Sequence, residues 1–219
     1  EVNGLIDMAE QHRDPMGGDF KLGIIPTVAP YLLPKILEPI GHRFPNLRLQ
    51  LTEAQTVPLV RMLKQGELDA LLLALPLKEE SIEEVSLFIE PFYFAVPKDH
   101  PKAKQKTVTL SDLDGEAVLL LEDGHCLRDQ ALDVCHRHKA EENTNFRATS
   151  IETLRQMVNA GVGTTLMPQL AINDSAKNTR YLPFRKDQPH RELGLCWRGT
   201  SPRGVLLSEL GEVIRDALG

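Results

Sequence analysis

The run LDALLLAL, residues 68–75, is apolar at nearly every position. A strand with one wet face alternates, whereas an unbroken apolar run suits a strand buried on both faces of a parallel sheet. The segment AVLLLE, residues 117–122, is a second run of this kind. Helical and extended segments alternate around both. In the first half DFKLGII reads as a strand. TVAPYLLPKILEPIGHRF follows as a helix that tolerates Pro30 and Pro34 in its first turns. LRLQLTEA alternates as a half-buried strand, and TVPLVRMLKQG is a short helix closed by Gly66. The second half runs FYFAVP (strand), AVLLLE (strand), GHCLRDQALDVCHRH (helix), NFRATS (strand), IETLRQMVNAGVG (helix) and TTLMP (strand).

Each half is thus β-α-β-α-β, which predicts an α/β protein of two Rossmann-like lobes with mainly parallel sheets and right-handed crossovers. ELGLCWR then reads as a strand that returns to the first lobe. SPRGVLLSELGEVIRDAL reads as a last helix, with Val205, Leu206, Leu210, Val213, Ile214 and Ala217 on its apolar face. The predicted organisation is an amphipathic helical tail over residues 1–15, a first lobe over 16–91 and 195–219, and a second lobe over 92–194. The chain is expected to cross between lobes near 90–94 and 191–195, leaving a cleft of the kind that holds ligands.

Charge and motifs narrow the function. The net charge is −6, with no basic stripe, so these residues do not make a nucleic-acid surface. There is no Walker-type loop, GxGxxG, HExxH or GxSxG. No cofactor and no metal is expected. No segment is long and apolar enough to suggest a membrane span, and EVNGLIDMAEQHRD carries no apolar run of a signal peptide. Three cysteines, an odd number, fit a reducing cytosol better than a secreted disulfide framework.

Open α/β sheets bind ligands beyond the carboxyl ends of their strands. That rule selects Thr27 and Thr56 in the first lobe, and His125, Cys126, Thr149 and Ser150 in the second. Thr56 and Ser150 also suit helix N-caps, and Thr149 is a second candidate for the latter cap. Cys126 opens a predicted helix, where unpaired N–H groups and the helix dipole favour an anion. His125 and Arg128 flank it, so all three features favour the reactive thiolate; packing as a small hydrophobe is the alternative. Cys135 falls with Leu127, Ala131, Val134 and His138 on one helical face and by itself reads as core. Cys196, in GLCW, reads as strand packing. The spacings of His125, Cys126, Cys135, His136 and His138 do not match those of structural zinc.

Cys126 and Cys135 are nine positions apart. On a helix that separation is roughly 13 Å, whereas a disulfide needs Cα atoms within about 7 Å. The folded helix cannot hold the bond, so a reacting pair here must unwind its own segment.

The segment GHCLRDQAL with a second cysteine nine residues on, FRATSIETLRQMVNAGVG, IIPTVAPYLLP and LTEAQT resemble the regulatory domain of the peroxide-sensing LysR-type transcription regulators, over essentially the whole chain. The resemblance implies a bilobed fold like that of periplasmic binding proteins. It makes Cys126 the peroxidatic cysteine and Cys135 the resolving one. Thr27, Thr56, His125, Arg128 and Asp129 become residues around hydrogen peroxide, and Arg191 an arginine that approaches them. The tail 1–15 becomes the end of a linker helix. The resemblance also implies a non-enzymatic cytoplasmic sensor that forms dimers or tetramers. It would meet promoter DNA and RNA polymerase only through a longer protein, and would be reset by reductants such as glutaredoxin or thioredoxin. Two other functions share these residues: a LysR-type domain binding a small organic effector, and a thiol peroxidase.

Overall fold

The structure, a computed structural model, describes residues 14–173 and 176–218. Most of the expected tail helix over 1–15 therefore lies outside the described residues. The chain divides into two compact units, Glu1–Phe88 with Glu192–Gly219, and Ile89–Arg191.

The first unit is built on strands β1 (Gly18–Ile24), β2 (Leu47–Glu53) and β3 (Ala70–Leu75), with helices α1 (Ala29–Arg43) and α2 (Thr56–Lys64) between them. β1 pairs in parallel with both β2 and β3. The central strand β3 is buried along almost its whole length, as its apolar run requires. At the edge, β2 keeps only part of its pattern covered, and Leu51 is 42% exposed. Gly66 at φ +78° ends α2, a left-handed position that costs glycine little. A side chain at Gly23 would meet Leu59, Leu68 and Leu71 within 2.8 Å, so the strand sits close beneath its neighbours because this residue has none.

Two long strands, β4 (Ile82–Pro97) and β9 (His190–Arg198), each contribute residues to both units. In the first unit β9 pairs antiparallel with β3, placing Cys196 opposite Leu71. The first half of β4 was not foreseen: Glu83, Glu84 and Glu90 interrupt the apolar signal of IEEVSLFIE. The closing helix α5 (Gly204–Asp216) packs on α1. Its buried face is Leu206, Leu207, Leu210, Gly211 and Ile214. This corrects the predicted face: Val205 is 66% exposed, and Leu207 takes the inward position.

The second unit holds β5 (Ala117–Leu121), α3 (Cys126–Arg137), β6 (Glu141–Ala148), α4 (Ile151–Asn159), β7 (Thr165–Pro168) and β8 (Thr179–Pro183). β5 and β6 are parallel, and a parallel bridge joins Val118 to Thr164 just before β7. β7 and β8 both pair antiparallel with β4. Strand pairing is therefore both parallel and antiparallel, the antiparallel pairs coming from the two long strands, while β5 and β6 pair only in parallel with each other. β8 was missed because TRYLP carries only a weak strand pattern. The core of the second unit includes Phe92, Phe94, Val118, Leu119, Leu120, Leu154 and Val158, all essentially buried. Burial of such side chains contributes about 1.5–3 kcal/mol each.

Candidate functional site

The loop Glu122–Asp123–Gly124–His125 leads from β5 into α3. His125 is the N-cap residue, in extended backbone and making no side-chain cap bond. Cys126 is then the first residue of a 12-residue helix, half-buried, where unpaired backbone N–H groups and the helix dipole stabilise an anion. This is the setting predicted for a reactive thiol.

The two neighbours behave differently from the sequence expectation. His125 is 6% exposed, and burial pushes its imidazole below the usual range, only partly opposed by the charge of Glu122. It is therefore neutral at neutral pH and offers Cys126 a polar ring rather than a positive charge. Arg128 is also buried and its guanidinium is already engaged. Its Nε donates to Asp123 Oδ1 at 2.9 Å and its Nη1 to the Leu121 carbonyl at 3.1 Å. Glu142 receives Nη1 at 2.7 Å and Nη2 at 2.9 Å, a two-pronged grip. Arg147 adds contacts of 3.2 Å to both Asp123 and Glu142. The carboxylates offset the Arg128 charge, which ties the first turn of α3 to β5, to the loop and to β6. Asp129 is the sole acidic residue of that turn and is exposed.

Cys135 sits at the other end of α3 with no exposed surface. Burial, reinforced by the charge of Glu142, pushes its thiol up to about 11. Folded, it is a protonated core residue. The inward face of α3 is Leu127, Arg128, Ala131 and Cys135, and Arg128 was not foreseen on it. Val134 and His138, predicted for that face, instead line a groove of about 480 Å³ with Leu110, Gln130, Pro189 and His190. None of the three cysteines is in a disulfide. Cys196 is buried in β9, its thiol pushed up to about 12 by burial and by Glu84, as suits strand packing.

Arg191 is fully buried, and its Nε donates to Glu90 Oε2 at 2.6 Å. Glu90 Oε1 accepts from the Leu170 backbone N–H at 2.7 Å. Sequence reasoning named Arg191 but missed Glu90. The available signal was a lone carboxylate in the apolar stretch LFIEPFYFAV, since a buried charge needs a partner.

Thr27 and Thr56 belong to the first unit. Each lies three residues beyond the paired ends of β1 and β2, at Ile24 and Glu53. Thr27 is 2% exposed. Thr56 does not cap α2: Gln55 holds the cap position, and the Thr56 hydroxyl is buried without a hydrogen-bond partner among the described residues. Ser150 does cap α4, its Oγ accepting from Thr153 N at 3.2 Å. Among the described residues no three His, Cys, Asp or Glu side chains gather as metal ligands. No described helix is long and apolar enough to cross a membrane.

An α/β frame of mixed strand pairing carries a reactive-type cysteine at a helix start and a second cysteine buried in the same helix. The LysR substrate binding domain matches residues 13–219, and the chain belongs to that family. Within it, the chain is 48% identical to the DNA-binding transcriptional dual regulator OxyR of Escherichia coli K12, over 98% of this chain and 71% of that protein. It is 42% identical to the hydrogen peroxide-inducible genes activator of Haemophilus influenzae, over 99% and 72%. The crystal structure of reduced OxyR superposes with a TM-score of 0.86 at 45% identity, covering 94% of this chain and 98% of that one. The hydrogen-peroxide-bound form of a Corynebacterium glutamicum OxyR cysteine-to-serine variant gives a TM-score of 0.91 at 30% identity, covering 99% and 71%.

Proposed function

We propose that this chain is the regulatory domain of a transcription regulator that senses hydrogen peroxide through Cys126 and Cys135. The observation that carries the reading is their placement in one helix. Cys126 is half-buried at its positive end, and Cys135 is buried in its inner face.

In the first step the Cys126 thiolate attacks one peroxide oxygen. The O–O bond breaks, Cys126 becomes a sulfenic acid, and the departing hydroxide takes a proton to give water. Because peroxide is neutral, hydroxyl and backbone groups suit it best. The candidate residues are Thr27, Thr56, His125, Arg128, Asp129 and Arg191. His125, buried and neutral, can donate one N–H; Arg128 acts chiefly by holding the turn that carries Cys126.

In the second step Cys135 attacks the Cys126 sulfur. The S–S bond forms, the S–O bond breaks, and the hydroxide leaves as water with the thiol proton. The helix must unwind first, since roughly 13 Å of helical rise separates the two positions. Unwinding exposes Leu127 and Cys135, which are 2% and 0% exposed in the folded helix. About 30 mV of potential corresponds to about 1.4 kcal/mol for a two-electron couple, so a few kcal/mol of lost packing makes the bond tens of millivolts more oxidising. Such a bond is within reach of cytosolic thiol reductants of the thioredoxin and glutaredoxin type.

The remodelled segment would change an interface between subunits, in a dimer or tetramer, and pass the change to DNA-binding parts that meet promoter DNA and RNA polymerase. The reading places the protein in the cytoplasm.

Trapping with a sulfenic-acid probe tests the division of roles. Cys135→Ser should form a stable sulfenic acid at Cys126 without the conformational change of the wild type. Loss of all reaction with peroxide in Cys135→Ser would contradict it. Fast multiple turnover of peroxide with a reductant would favour a thiol peroxidase instead.

A further inference from the structure

We propose that Glu142 is a positioning residue for the second step: it holds the redox helix wound, with Cys135 in its inner face, and so slows resolution. This inference rests on reading Cys126 and Cys135 as the reacting pair.

The argument begins at the two ends of α3. At the first, the cap residue gives no side-chain bond, so local sequence does little to keep the first turn wound. What fastens it is Arg128, and the bidentate partner of Arg128 is Glu142, on the neighbouring strand β6. At the second end burial keeps the Cys135 thiol protonated, and the Glu142 charge adds to it. One carboxylate, 15% exposed, therefore bears on both ends of the segment that must unwind. Its own ionisation is secure, because the Arg128 hydrogen bonds hold it below the usual carboxylate range.

The elements packed on α3 leave few other groups for this task. β5, AVLLL, has no titratable side chain. β6 brings Glu141, which is exposed, and Arg147, which itself contacts Glu142. On α3 the buried charged group is Arg128, while His136 and Arg137 are exposed and His138 is half-buried.

The chemistry follows from the second step. The attacking species is the Cys135 thiolate, and its proton leaves with the hydroxide from Cys126. Removing the Glu142 charge takes away the lesser of the two influences that raise the Cys135 thiol, and removing the charged acceptor loosens the Arg128 grip. Both changes speed resolution, and the first step, which also depends on the turn that Arg128 holds, is measured separately.

The test starts with sulfenic acid formation at Cys126 in Cys135→Ser proteins with and without Glu142→Gln. The rate of Cys126–Cys135 disulfide formation is then followed against pH in proteins with both cysteines. The expected result is that sulfenic acid still forms at Cys126 and that the step from sulfenic acid to disulfide is severalfold faster in Glu142→Gln. Its pH profile should move to lower pH, as loss of a nearby like charge predicts. Glu142→Asp keeps the charge on a shorter arm, so it should speed resolution with the pH profile unmoved. Equal resolution rates and profiles in wild type and Glu142→Gln, with sulfenic acid formed, would overturn the proposal alone. If Glu142→Gln fails to fold, wild-type resolution in Glu142→Asp overturns it. Absence of sulfenic acid in every protein would overturn the underlying reading instead.

Discussion

Helices α3 and α4 occupy equivalent places in the second unit, each following a strand of the parallel pair β5–β6, yet they are held by different means. α4 is locally self-sufficient. Ser150 caps it, Glu152 sits in its first turn, and Ile151, Leu154 and Val158 are buried. α3 has an N-cap without a side-chain bond, and its inward face is Leu127, Arg128, Ala131 and Cys135. One large aliphatic side chain stands where α4 has three. The start of α3 is fastened by a charge network to residues outside the helix. A helix that owes its winding to tertiary grips can be released when one grip fails, whereas a helix with its own cap and apolar stripe cannot. The cysteines lie in the releasable one.

Four experiments can break or sharpen this contrast. The largest effect belongs to Cys126→Ser: peroxide should no longer produce any disulfide or any loss of α3 structure, read by peptide mapping and circular dichroism. Next come paired substitutions in the two helices. Leu154→Ala should cost the second unit about 2–5 kcal/mol in denaturant unfolding, the range for truncating a buried leucine. Arg128→Ala should cost on the order of 3 kcal/mol, because it leaves half-buried Glu142 with only the longer Arg147 contact. Its signature should be local, with hydrogen exchange accelerated in α3 and little changed in α4. Equal acceleration in both helices would remove the distinction drawn above. Ser150→Ala should cost about 1 kcal/mol, the ordinary worth of an N-cap, and fray α4 alone.

The smallest expected effect is on pH. The His125 imidazole is depressed by burial, so the folded state resists its protonation more than the unfolded state does. The stability tied to it is complete above about pH 6.5 and falls as pH drops below that, by at most about 1.4 kcal/mol per pH unit. α3 should therefore open more readily near pH ~5.5 than near ~7.5, relative to α4, in exchange rates corrected for intrinsic chemistry. His125→Asn should remove the difference.

Local signals carried most of the fold. The unbroken apolar runs located β3 and β5, and Ser150 marked the start of α4. The first half of β4 was hidden because Glu83 and Glu84 mask the strand pattern. Val205 and Leu207 were misassigned because a one-residue rotation of an amphipathic helix barely changes its sequence pattern. In the candidate site the cysteine pair was legible because both members lie in one short segment. The partners that fix its electrostatics were not. Glu142 acts from the adjacent strand, and Glu90 meets Arg191 across 101 positions. Nor does sequence disclose that burial removes the charge expected of His125.

The most direct measurement is to treat the reduced protein with one equivalent of hydrogen peroxide, map the products by peptide mass spectrometry and follow exchange in α3. The account predicts a rapid intramolecular Cys126–Cys135 disulfide with Cys196 still a thiol, and protection lost over α3 but kept over α4. Three unreacted thiols after minutes at micromolar peroxide, or a disulfide formed while α3 keeps its protection, would contradict it.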